Sequence, residues 1–250
     1  MTIPVAIELD RERFDAVVFD MDGVITDTAR VHYAAWKQMF DDYLGSRSGP
    51  ADATRPFDEE DYRRYVDGKP RDDGVESFLT ARGVQLPRGS LEDPPERETV
   101  WGLANRKNEQ FKRAVAEMGV AAYPSSVALV RALEQRGLGT AVVSASRNCS
   151  AILEAAGIGD LFAARVDGLV AEQLGLPGKP SPATFLEAAR RLHADAARSV
   201  IVEDALAGVE AGRRGKFGLV IGVDRVGQAE ALRRRGADVV VRDLAEVSVR

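Results

Sequence analysis

Two textures of hydrophobic patterning divide the chain. From Ala16 to Phe19 four apolar residues run without a polar break, the pattern of a strand buried on both faces. From about Thr28 to Met118 that β character disappears, and His32, Trp36, Met39, Phe40 and Tyr43 recur at helical spacing. "RYVDGKPRDDGVESFL" and "ANRKNEQFKRAVAEM" read as further helical segments or their approaches. "GSRSGPADATRP" and "RGVQLPRGSLEDPPE" read as exposed, turn-rich loops. After Tyr123-Pro124 short valine- and isoleucine-rich runs return: "LGTAVVS", "SVIVE", "FGLVIGV" and "ADVVV". Helical stretches alternate with them at Val127–Gln135, Pro182–Leu192, Leu206–Arg214 and Gln228–Arg235, and Ser181 before Pro182 reads as an N-cap followed by proline at the first helical position. Apolar strands alternating with helices predict a parallel sheet covered on both faces. The expected architecture is α/β: a parallel-sheet core of residues 1–29 and 119–250, interrupted by an inserted α-helical cap of residues 30–118.

Composition narrows the function classes. At 250 residues the chain is long enough for a substantial core, and 45% hydrophobic residues is ordinary for a globular protein. A net charge of −5 argues against a nucleic-acid partner, which calls for a basic footprint. The run Arg233, Arg234, Arg235 reads as a solvated helix face beside Glu230. Cys149 is the single cysteine, which rules out a disulfide within the chain and a cysteine-based metal site. The first residues carry acids and lack an apolar core of signal-peptide length, and no stretch approaches the ~20 apolar residues of a membrane span. The expectation is a cytoplasmic protein without membrane or nucleic-acid partners, a monomer or weak oligomer.

In open α/β sheets ligands gather where strands end. After the first strand come Asp20 and Asp22; after "GTAVV" come Ser144, Ala145, Ser146, Arg147 and Asn148; after "SVIV" come Glu203 and Asp204. Lys179 stands in "GLPGKPSP", just before the helix begun at Ser181. Singly, Ser144, Ser146 or Asp204 can be a helix cap and Lys179 a surface lysine. Together, acids on one sheet edge repel unless a cation sits among them, and an all-oxygen ligand set points to a hard ion such as Mg²⁺. Mg²⁺, a lysine and hydroxyls make a phosphate site, in which one aspartate can attack phosphorus and its neighbour two residues on can move protons.

These residues resemble the haloacid dehalogenase superfamily of phosphotransferases. Four motifs occur in the family's order: "DMDGV" at Asp20, "VVSAS" at Ser144, "GKPSP" at Lys179 and "VEDA" at Glu203. The resemblance implies a Rossmann-like core, Asp20 as nucleophile, Asp22 as acid and base, and Ser144 with Lys179 holding the transferring phosphoryl. It implies Mg²⁺ on Asp20, the Asp22 carbonyl and Asp204, with Glu203 close by or ligating. Within the superfamily, "FDMDGVITDTARVHYAAWK" is similar to the opening of the β-phosphoglucomutases, including His32 and Trp36. Ser146, Arg147 and Asn148 would then grip the second, non-transferring phosphate, as would Arg71 in "DGKPRDDGVESFL", while Lys107 and Asn108 in "NRKN" would meet the substrate. Taken alone, His32 also reads as a polar helix residue and Arg71 as a solvated charge, while Trp36 reads as a packing residue before a sugar contact. The chain departs from that family in longer cap loops, a longer leader before Phe14, Arg147 for a lysine, and Ala205 where a hydroxyl residue can occur. The implied reaction interconverts β-glucose 1-phosphate and glucose 6-phosphate. The rivals are a sugar-phosphate phosphatase and a phospho-aspartate signalling domain.

Overall fold

The computed structural model describes residues 7–47 and 55–250. The chain divides into two compact units, Met1–Asp27 with Ala121–Arg250, and Thr28–Val120. These boundaries fall at 27/28 and 120/121, against 29/30 and 118/119 in the sequence reading.

The first unit is built on a parallel sheet. Its strands are β2 (Ala16–Asp20), β3 (Gly139–Val143), β4 (Ala164–Val166), β5 (Ser199–Glu203), β6 (Leu219–Val223) and β7 (Val239–Val241). Their order across the sheet is β4-β3-β2-β5-β6-β7. All residues of β2 and β5 are buried, as uninterrupted apolar runs require of strands covered on both faces. β2 lies between β3, which follows it in the chain, and β5, so the winding reverses beside it. A crevice opens at the carboxyl ends of such strands. β1 (Ile7–Leu9) and β8 (Val247–Val249) form a separate parallel pair. Val18, Ala141, Ile201 and Val220 of the large sheet pack with Phe185 and Val209 of flanking helices. Of those helices, Pro124–Gln135 starts earlier than its apolar pattern suggests, with Pro124 at its first turn. The helix expected from Pro182 begins at Ala183, with Pro182 as its N-cap residue, while the Ser181 hydroxyl accepts from the Ala183 amide at 3.3 Å.

The second unit is helical. Numbered within it, α1 spans Ala29–Gly45, α2 spans Glu59–Asp61 and runs on into a π-turn at Tyr62–Val66, α3 spans Arg71–Ala81 and α4 spans Val100–Met118. Phe40, Phe57 and Phe78 form an aromatic core, with Trp36 stacked on Phe40 at 5.3 Å. Of the turn-rich stretch 45–56, residues 48–54 lie outside the described residues. The other such stretch, 82–96, is exposed along most of its length yet folds around the buried carboxylate of Asp93. That carboxylate accepts from the Ser90 amide, the Thr99 hydroxyl at 2.6 Å and Arg97.

Candidate active site

Asp20 ends the central strand β2 and is 7% exposed. Its Oδ1 accepts from the Lys179 ammonium, which also donates to Oε1 of Glu203, the fully buried last residue of β5. The other Glu203 oxygen accepts from the Ala205 amide, and the Lys179 Nζ lies 4.9 Å from the centre of the Phe185 ring. Burial opposes the charge on Lys179, but the Asp20 and Glu203 carboxylates outweigh it and hold the ammonium well above its ordinary pKa. Burial also pushes the Asp20 carboxyl well up; Lys179 opposes the rise, and the like charges of Glu203 and Asp22 add to it. One ammonium among three carboxylates leaves negative charge to be met.

The turn after β2 is shaped by Gly23, at φ +79°, whose amide donates to the Thr26 carbonyl at 2.8 Å. A side chain here would bring its Cβ to 1.9 Å from Asp204 Oδ2, so the Asp204 carboxylate lies directly against the backbone that carries Asp22. Beyond β3, the Ser144 hydroxyl reaches Asp22 Oδ2 at 3.4 Å and accepts from the Ser146 amide, and the Ser146 hydroxyl accepts from the Asn148 amide. The loop Ala145–Asn148 is half-buried, and Arg147 is ion-paired with Glu172. The structure therefore gathers Asp20, Asp22, Ser144, Lys179, Glu203 and Asp204 at one end of the sheet. Among the described residues no three Asp, Glu, His or Cys side chains form a ready metal site. An all-oxygen donor set with excess negative charge fits Mg²⁺.

In the helical unit, Lys107 of α4 is 5% exposed and lies 2.8 Å from His32 Nδ1. An ammonium can only donate, so Nδ1 accepts and the ring proton belongs on Nε2. Lys107 also sits over Trp36 and Phe111, at 5.1 and 4.8 Å from the ring centres, and His32 stacks on Phe111. Trp36 is buried in the aromatic core and forms part of the bed under Lys107. Asn108 follows on α4, half-buried. Arg71, at the start of α3, donates to Asn105 Oδ1 at 3.1 Å and lies over Trp101. Cys149 is buried and its thiol is pushed well up, first by burial and then by Asp22 and Asp167, which leaves it inert.

Two supports were absent from the sequence reading. Arg225, stacked 3.8 Å over the Tyr123 ring, donates to the Gly23 carbonyl at 2.8 Å, and Gln228 donates to the Asp204 carbonyl at 3.0 Å. Both follow β6, so the rule that sent attention to strand ends would have reached them had it been applied to "FGLVIGV".

A model of the haloacid dehalogenase-like hydrolase family matches residues 14–216. The chain is 46% identical over 241 residues to a β-phosphoglucomutase of Mycobacterium bovis, covering 94% of this chain and 92% of that protein. It is 30% identical over 235 residues to the β-phosphoglucomutase of Bacillus subtilis, covering 94% of this chain and 92% of that one. The crystal structure of β-phosphoglucomutase from Clostridium difficile shares the fold at a TM-score of 0.72 and 24% identity, covering 94% of this chain and 93% of that chain.

Proposed function

The chain belongs to the haloacid dehalogenase-like hydrolase family, and from that premise we propose that it is a Mg²⁺-dependent phosphomutase acting on β-glucose 1-phosphate and glucose 6-phosphate. The observation that carries this reading is the buried Asp20–Lys179–Glu203 charge chain at the end of the central strand. A carboxylate oxygen of Asp20 attacks phosphorus while the bond to the sugar oxygen breaks, leaving an aspartyl-phosphate. Asp22 protonates the departing oxygen, and takes a proton from the accepting hydroxyl when the phosphoryl returns to a sugar. Lys179 and the Ser144 hydroxyl bind phosphoryl oxygens. Glu203 orients Lys179 through one of its oxygens and stands close to the Mg²⁺ site or ligates the ion.

Asp20, Asp204 and the Asp22 carbonyl would hold Mg²⁺, which when bound supplies positive charge against the phosphoryl oxygens. Arg71 binds the phosphate that is not transferred, as do Ser146, Arg147 and Asn148 with the Ala145 backbone. His32, Lys107 and Asn108 receive the sugar, and Trp36 supports Lys107 from below.

The test is a product assay. With β-glucose 1-phosphate, Mg²⁺ and a trace of the sugar bisphosphate, glucose 6-phosphate should accumulate ahead of free phosphate, and EDTA should stop the reaction. Free phosphate as the sole product would make the protein a phosphatase, with water as acceptor in the second step. Full turnover in metal-free buffer would remove the cofactor from the reading.

A further inference from the structure

The stretch 82–99 is ordered around Asp93, and its order has a consequence for Arg71. Gly89 adopts φ +69°, and a Cβ there would meet Asp93 Oδ2 at 2.1 Å, so the chain closes tightly over that carboxylate. Two carbonyls of this loop, those of Leu91 and Asp93, point at Asn105 and each accepts from its Nδ2 at 2.8 Å. A carboxamide has two N–H donors, both on nitrogen, and here both go to groups that can only accept. The amide therefore has one orientation, with Oδ1 facing away from the loop. That oxygen accepts from Arg71 Nη2 at 3.1 Å, while the guanidinium lies 5.9 Å from the centre of the Trp101 ring.

We propose that Asn105 is a positioning residue: it transmits the fixed geometry of the 88–99 loop to Arg71 and pre-sets the guanidinium for the substrate's second phosphate. This rests on the reading of Arg71 given above. An arginine side chain carries many rotamers, and fixing one before the ligand arrives removes an ordering cost from binding. Both Asn105 donors are committed to the loop, and its oxygen accepts from Arg71. On this proposal its effect on the ligand passes through Arg71.

The experiment is a double-mutant cycle read by calorimetry in an Asp20→Asn background, which binds a sugar bisphosphate without turning it over. The probes are glucose 1,6-bisphosphate and inorganic phosphate. Asn105→Ala should weaken the bisphosphate roughly 3- to 10-fold, and Arg71→Ala about 30-fold or more. The two together should lose no more than Arg71→Ala alone, because Asn105 has nothing left to position. Inorganic phosphate, which needs no second grip, should bind all variants alike. If Asn105→Ala destabilises the protein, Asn105→Ser, which keeps a polar group under the loop and stops a bond short of Arg71, should give the same selective loss. Additive losses, an equal loss for both probes, or no loss with Asn105→Ala while Arg71→Ala fails to bind would overturn the positioning role and leave the Arg71 reading standing. An Arg71→Ala protein that binds the bisphosphate like its parent would overturn both.

Discussion

In the α/β unit, Lys179 lies between two carboxylates at the ends of buried strands, with the Phe185 ring beside it. In the helical unit, Lys107 donates to an imidazole and rests on two aromatic faces, and Arg71 leans on an amide and an indole. The first arrangement balances charge against charge where water is excluded. Removing one partner there leaves the others buried and uncompensated, which costs both fold and chemistry. The second holds cations through hydrogen bonds and ring quadrupoles, which fix position without cancelling charge. The lesson is that the two units should fail differently: damage to the first reaches every phosphate ester, and damage to the second should reach only those that bring a sugar or a second phosphate to it.

The largest effect tests the first half of that contrast. Asp20→Asn should lower turnover of both β-glucose 1-phosphate and p-nitrophenyl phosphate by at least about 10⁴-fold. Substantial turnover, with deamidation excluded by mass spectrometry, would show that the attacking oxygen belongs to another residue. Lys179→Met should also abolish useful activity toward both substrates and cost about 3 kcal/mol of stability, a melting temperature lower by about 8 °C. Adding Glu203→Gln should recover part of the stability and none of the activity. Unchanged melting in the single variant would mean that the charge chain does not stabilise the fold.

The next prediction sharpens the other half. Arg71→Ala should cut mutase kcat/KM by about 30-fold or more, leave p-nitrophenyl phosphate hydrolysis nearly unchanged and barely move the melting temperature. Equal losses for the two reactions would erase the distinction between the units.

The smallest effect concerns stability alone, at a place remote from catalysis. Glu187 accepts from Arg190 and Arg191, whose hydrogen bonds lower its pKa from 4.5 to about 2. A depressed carboxyl stabilises the fold above its unfolded-state value and loses that contribution as pH falls through the folded-state value. Glu187→Gln should therefore cost about 1 kcal/mol at neutral pH, about 2–4 °C in melting temperature, with no change in activity. The gap to the parent should shrink between pH 4.5 and about 2. A gap of equal size at pH 7 and pH 3 would rule out the ion pairs as its source.

The same contrast explains what could be read from the sequence. Asp20, Ser144 and Glu203 were legible because each follows an apolar run, and in a parallel sheet strand ends converge whatever the details of packing. Lys179 was legible from its motif; its bond to Glu203 was not, since nothing in the residue order says which acid a lysine will choose. The helix carrying His32 and Trp36 could be read from its period. The 82–99 stretch could not. Its turn residues signal a loop, and only the folded chain shows that the loop encloses Asp93 and directs two carbonyls at Asn105. β1 and β8 escaped for a related reason: three residues each, drawn from opposite ends of the chain, carry no local sign that they pair.

The insertion of the helical unit after β2 bears on how the chain folds. Where the two connecting segments leave the sheet unit they are laced together: Thr26 bridges Ala122, the Asp27 amide donates to the Ala121 carbonyl, and the Tyr123 amide donates to the Ile25 carbonyl at 2.9 Å. The insertion thus begins and ends at one point. A disordered loop of its length between β2 and β3 would cost on the order of 4 kcal/mol in closure entropy before those strands could pair. A helical unit that folds first brings its own ends together and removes most of that cost, turning a distant strand pairing into a nearly local one. Phe78→Ala, which opens a void in the aromatic core of the helical unit alone, should therefore slow formation of the sheet in refolding experiments. Sheet formation at the parent's rate would mean that β2 finds β3 without help from the insertion.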